Sequence, residues 1–212
     1  AAALPTPKGS TGLAVLPELG YALFEIGEVE EASTLLADAR ARARTDGDRH
    51  VEWRVTVTRP RIEMYRDPEG IDLDALAAEM EAAIDMLGEL GDEAGLARAW
   101  MVLSDLHWSR GRLHETSEEA TRAAEHARHT GNRREVGWAL GQNALCAIHG
   151  PMPVAEGLGW LERLLRAEPE NRTLDANLSG FVTVLEAMSG RFAEAREHIA
   201  DSRALARDLG LL

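Results

Sequence analysis

The sequence predicts an all-α fold, an α-α superhelix of about five helix-turn-helix repeats. Composition supplies the first sign. From Leu13 onward the chain is rich in Ala, Leu, Glu and Arg, all good helix formers, and aromatic residues make up only 5%. Spacing supplies the second. Glycines stand at Gly27, Gly70, Gly111, Gly150 and Gly190, at steps of 43, 41, 39 and 40 residues. One helix breaker at a near-constant interval marks a stack of units, each able to bury its apolar face only against its neighbours.

Residues 1–12, AAALPTPKGSTG, carry two prolines and two glycines without a helical period, and read as a linker or fragment edge; residues 13–212 read as the repeat domain. The first pair of helices spans 13–26 and 29–45. In the second of these, Val29, Ala32, Leu35, Leu36, Ala39 and Ala43 follow the three-and-four spacing of an amphipathic helix. Further pairs span 49–66 with 72–90, 94–110 with 113–130, 133–149 with 154–167, and 172–189 with 192–209. Between pairs the stretches around Gly47, Gly91 and Gly131 suit a left-handed helix stop, and connections this short force antiparallel neighbours. Pro60 falls inside a helix, where a kink or early stop is expected; Pro151 and Pro153 lengthen the fourth turn.

Charge and cysteine content narrow the function. The 212 residues hold 36 acidic and 23 basic side chains, a net charge of −13, and Lys8 is the lone lysine. Such acidity argues against nucleic acid or an anionic membrane as a direct partner. No apolar run approaches the ~18 residues needed to span a bilayer and no signal peptide is evident, so the cytoplasm is the expected location. Cys146 is alone and makes neither an internal disulfide nor a thiolate metal site.

The third repeat shows Trp100, Leu103, Ser104 and Gly111 on and after its first helix, with Ala120 and Ala123 on its second. The first repeat aligns Leu16, Leu19, Gly20, Gly27, Ala32 and Ala39, and the fifth Val182, Gly190, Phe192 and Ala195. These positions resemble the tetratricopeptide repeat, whose small residues mark close helix approach. Here the repeats run near 40 residues, where the family standard has 34, and the second and fourth match poorly. A narrower resemblance covers Gly150-Pro151-Met152-Pro153, Gly190 to Ala195 and Leu205 to Leu211. This stretch is similar to the C-terminal repeats of actinobacterial multidomain AAA-type ATPases linked to adenylate/guanylate cyclase or transcription-factor domains. The resemblance implies a non-catalytic regulatory or sensor arm of a larger signalling ATPase. It implies binding to a protein, a peptide or another domain of the same chain.

In such an array the first helix of each pair lines the groove. That register places Tyr21 and Phe24, then Arg54, Thr58 and Arg61, then Arg98, Met101, Asp105 and Trp108, and finally Asn143 along it. Exposed aromatic and arginine side chains suit peptide recognition. The alternative is that Tyr21, Phe24 and Trp108 fill gaps between helices. Trp53, Trp100, Trp138 and Trp160 read as core. Arginines crowd residues 40–66 and carboxylates residues 67–97, either as two docking faces or as faces that neutralise each other.

Catalytic signatures are thin. A phosphate loop needs a lysine before Ser or Thr, and Lys8 precedes Gly9. Gly157-Leu158-Gly159 lacks the third glycine of a dinucleotide site. His114 and Glu118 share a helix face but lack a further metal ligand, and His126 with His129 suits a helix C-terminus. Cys146 and His149 have no third orienting group. The chain is therefore expected to be no enzyme, with no cofactor and no metal. An enzyme reading would grow from His107, His114 and Glu118. A second alternative is a small-molecule-sensing repeat domain of a LuxR/MalT-like transcriptional regulator, with a pocket lined by Trp108 and Asn143.

Overall fold

The computed structural model describes residues 10–167 and 171–209, and among these every regular element is helical. After a single turn, α1 (Ser10–Leu13), come α2 (Leu16–Glu25), α3 (Val29–Asp46), α4 (Arg49–Arg66), α5 (Leu73–Leu90) and α6 (Glu93–Ser109). Then follow α7 (Leu113–His129), α8 (Arg133–His149), α9 (Val154–Ala167), α10 (Arg172–Met188) and α11 (Phe192–Asp208). Of the stretch read as linker, residues 1–9 lie outside the described residues and 10–12 belong to α1. The chain divides into two compact units, one ending at Val102 and the other starting at Leu103, within α6.

Local chemistry sets most of these boundaries. Gly47, Gly91 and Gly131 stop α3, α5 and the turn after α7 with φ of 70°, 66° and 71°, a left-handed geometry that costs glycine nothing. The next residue in each case is an N-cap: Asp48 accepts from Val51 N, Asp92 from Gly95 N, and Asn132 from Glu135 N. Stop and start are thus written in two adjacent residues. Gly27, Gly111 and Gly190 make the same left-handed turn within their pairs.

Gly70 and Gly150 also stand between helices, but neither has positive φ. In the second pair Asp67 instead caps a short 3-10 turn, Pro68–Gly70, before Asp72 caps α5. In the fourth, Gly150 is extended and residues 151–153 carry the chain to α9. These two longer connections explain the poor repeat match there. Pro60 gives a further correction to the expected early stop: α4 continues through it to Arg66. Pro60 is buried, so packing of its ring offsets the lost backbone bond.

In the first unit α2 packs on α3 and α4, α3 on α4, and α4 on α5. The core holds Leu16, Leu23, Leu36, Val55 and Ile62, with Ala32, Ala39 and Ala43 as a small-residue stripe on α3. Gly20 sits where α2 meets Leu36. In the second unit α7 packs on α8, and α10 on α8, α9 and α11. There α7 buries Thr116, Ala120, Ala123, Ala124 and Ala127, so close approach again rests on small side chains. The four tryptophans read as core are each half-buried, and leucine and alanine fill the interior.

Candidate functional site

In the first unit α2, α4 and the start of α6 bring a set of polar side chains together. Arg98 is its centre. It enters α6 one turn after the Asp92 cap, and its guanidinium meets Glu18 of α2 in a two-pronged bond, 3.0 Å to Oε1 and 2.5 Å to Oε2. The same guanidinium donates to Thr58 Oγ1 at 3.2 Å and lies 4.8 Å from the Tyr21 ring centroid. Only 6% of Arg98 is exposed, so its charge needs this full set of partners.

Arg54 extends the network. Its Nη2 is 3.1 Å from Glu18 Oε1 and its Nε 3.2 Å from Asp92 Oδ2, which also holds His50 Nε2 at 2.7 Å. Asp92 therefore caps α6 with one oxygen and meets Arg54 and His50 with the other. Burial pushes the Glu18 carboxyl up, but the hydrogen bond and charge of Arg98, then the charge of Arg54, outweigh it and hold the group below its ordinary value. Arg61 Nη1 donates to Tyr21 OH at 3.2 Å, and its guanidinium lies 5.8 Å from the Tyr21 centroid and 5.7 Å from that of Phe24. Phe24 in turn meets the exposed Tyr65 edge-on, with centroids 5.8 Å apart.

The sequence reading placed Tyr21, Phe24, Arg54, Thr58, Arg61 and Arg98 together, and the structure brings all six into this network. Their depths differ from the expectation. Arg98, Thr58 and Met101 are buried, while Tyr21, Phe24, Arg54 and Arg61 are half-buried. Glu18, Asp92 and Tyr65 were missed. An acidic residue one turn before Tyr21, on the same face, was the available signal for Glu18. Guanidinium groups hold their protons at all working pH, so Arg54, Arg61 and Arg98 stand here as fixed cations.

Asp105, Trp108 and Asn143 lie in the second unit. Asp105 is half-buried. Trp108 packs edge-on to His149, 5.7 Å between centroids. Asn143 is buried and accepts from Ser117 Oγ at 2.8 Å while donating to Thr121 Oγ1 at 3.2 Å. The catalytic seeds gain little. His114 and Glu118 form an exposed pair at 3.5 Å, and His107 Nε2 stands 3.3 Å from Glu119 Oε1. Burial pushes the Cys146 thiol up to about 11, the reverse of what a nucleophile requires. The two charge runs meet at Glu79 of α5, 2.7 Å from Arg40 and 3.4 Å from Arg59, and at Asp92, 3.2 Å from Arg54. Among the described residues no helix is long and apolar enough to cross a membrane.

No protein-family model and no curated protein matches the chain. Solved structures do match. A putative kinesin light chain from Podosopora anserina, with nearly identical TPR-like repeats, aligns over 95% of this chain and 99% of its own. The identity is 14% and the TM-score 0.62. A single-substitution variant of that protein gives the same TM-score and identity over 94% and 97%. A signal transduction ATPase with numerous domains from Pyrococcus horikoshii, described with a tetratricopeptide repeat sensor, aligns over 94% of this chain and 37% of its own. Its identity is 12% and its TM-score 0.47. Likeness at 14% identity is likeness of fold, and the fold is an all-α array of TPR-like repeats.

Proposed function

We propose that the chain is a non-catalytic scaffold that binds a protein, a peptide or another domain of its own polypeptide. Its binding face in the first unit is the one built from Tyr21, Phe24, Arg54, Arg61 and Arg98. One observation carries this reading: Arg61 is held over two aromatic rings while Arg98, itself bonded to Glu18, lies against the Tyr21 ring. Rigid, half-buried aromatic and arginine side chains are the residues that concentrate binding energy at interfaces, because little ordering entropy remains to be lost. The TPR-like fold supports the same class of function. On the second unit, taken by itself, Asp105, Trp108 and Asn143 are proposed as partner contacts.

The sequence resemblance extends the proposal. The chain acts in the cytoplasm as the regulatory or sensor arm of a signalling ATPase of the nucleotide-cyclase type, touching neither nucleic acid nor membrane. Selection of a displayed random peptide library on the whole chain tests the face. Enriched peptides should lose about tenfold or more in affinity on Arg61→Ala or Phe24→Ala, as expected of anchor residues. Affinities unchanged by both substitutions, and by Asp105→Ala, would sink the assignment. The coding sequence on both sides of this segment tests the sensor-arm reading, which fails if no ATPase domain shares the polypeptide.

A further inference from the structure

The second unit contains a cavity that peptide binding on the first does not use. It lies between α7, α8 and the start of α9 and has a volume of about 300 Å³. Its origin is local. Where three other pairs turn on one left-handed glycine, the α8–α9 pair turns through residues 150–153, and the longer path leaves space against α7. Gly157 then lets α9 approach closely: a Cβ there would stand 3.2 Å from Leu185 Cδ1 and 3.7 Å from Met152 Sδ.

The lining separates into an apolar wall and a polar mouth. Leu113, Cys146, Ala147 and Met152 form the wall. The buried thiol stays neutral well above pH 7, so it behaves there as a small apolar group. Asn143 lies between wall and mouth, with its amide orientation fixed by Ser117 and Thr121. These two bonds leave it one N–H and one lone pair of its full capacity. At the mouth stands the exposed carboxylate of Glu156, and His114 on the same lining is paired with Glu118. The rim therefore carries net negative charge, as does the chain at −13.

From this arrangement we infer that the cavity binds a small organic amine, its apolar body against Leu113, Cys146, Ala147 and Met152 and its ammonium at Glu156. About a dozen heavy atoms fit a volume at the lower end of ligand sites. The fixed Asn143 amide recognises a polar substituent between the two ends. Anions are disfavoured by the Glu156 carboxylate. The cavity shares Asn143 with the contacts proposed on the second unit but no residue with the first unit's face, so Glu156→Gln tests the amine reading apart from Arg61→Ala and Phe24→Ala.

Cys146 lines the cavity and is the chain's one cysteine, so its alkylation by N-ethylmaleimide reports occupancy. Three probes of similar shape separate the chemistry: 2-phenylethylamine, 2-phenylethanol and 3-phenylpropionate. The amine should slow alkylation saturably, at a concentration about tenfold below that needed by the alcohol, with no protection from the carboxylate. Glu156→Gln, a surface change, should bring the amine to the level of the alcohol, and Ala147→Leu should abolish protection by filling the wall. Calorimetric titration of the same probes gives a readout that does not depend on the thiol. Equal protection by all three probes, absence of protection and heat with the amine, or an unchanged preference in Glu156→Gln would each overturn the assignment.

Discussion

Replacing Gly20 by alanine sets two calculable effects against each other. Gly20 lies inside α2, where alanine is a better helix former by about 1 kcal/mol. The added methyl, however, would stand 2.6 Å from Leu36 Cδ2, 2.7 Å from Cγ and 3.3 Å from Cδ1. Leu36 is fully buried in the same core as Ala32, Ala39 and Ala43, so its branched end cannot swing out into solvent to make room. Overpacking of this kind costs about 1–3 kcal/mol. The balance is a net loss of up to about 2 kcal/mol, opposite in sign to the helix preference. Gly88 of α5 provides the control within the same unit: nothing lies within 4 Å of its Cβ position, so Gly88→Ala should stabilise by about 0.5–1 kcal/mol. Urea unfolding followed by helical circular dichroism measures both. Leu36→Ala, which by itself costs about 2–5 kcal/mol, should make room for the new methyl, so the Gly20→Ala penalty should vanish in the double variant. A stabilised Gly20→Ala, or a penalty that persists in the Leu36→Ala background, would refute the contact.

Acid should weaken the arginine network through Glu18. Its carboxyl is held below the ordinary 4.5, so its stabilising contribution is complete above that value and is lost as pH falls through the folded-state value. Glu18 is half exposed, and after solvent screening the effect is about 1 kcal/mol or less; urea midpoints measured on either side of pH 4.5 should show it in the native chain and not in Glu18→Gln. Gly131→Ala should destabilise by about 1–2 kcal/mol, because alanine at φ of 71° crowds its own carbonyl; an unchanged urea midpoint would contradict the turn geometry. Cys146, neutral and buried, should react with iodoacetamide at pH 8 far more slowly in the folded chain than in urea, and equal rates would contradict its burial.

Much of the fold was legible because its signals are local. The glycine and the capping Asp or Asn that follows it occupy adjacent residues, so α5 ends at Leu90 and α8 spans 133–149 as the periodicity places them. The small-residue positions, Gly20 among them, were legible for the same reason: a repeated distance along the chain becomes a repeated contact between helices. The six arginine, threonine and aromatic residues of the first unit were legible as a set, since they share one face of successive first helices.

Tertiary structure alone decided how deep those side chains lie and what they touch. Arg98 and Glu18 are 80 residues apart, and nothing along the chain states that a bidentate pair will bury one and leave the other at the surface. Pro60 shows the converse, where a local rule for stopping a helix yields to packing. The cavity at Cys146 lies beside residues 150–153, a connection one residue longer than those at Gly27, Gly111 and Gly190. The helix limits at Gly47, Gly91 and Gly131 follow from nearest-neighbour backbone chemistry. Ion pairs and cavities depend on how several helices meet, where a displacement of about one ångström decides whether a guanidinium reaches its carboxylate.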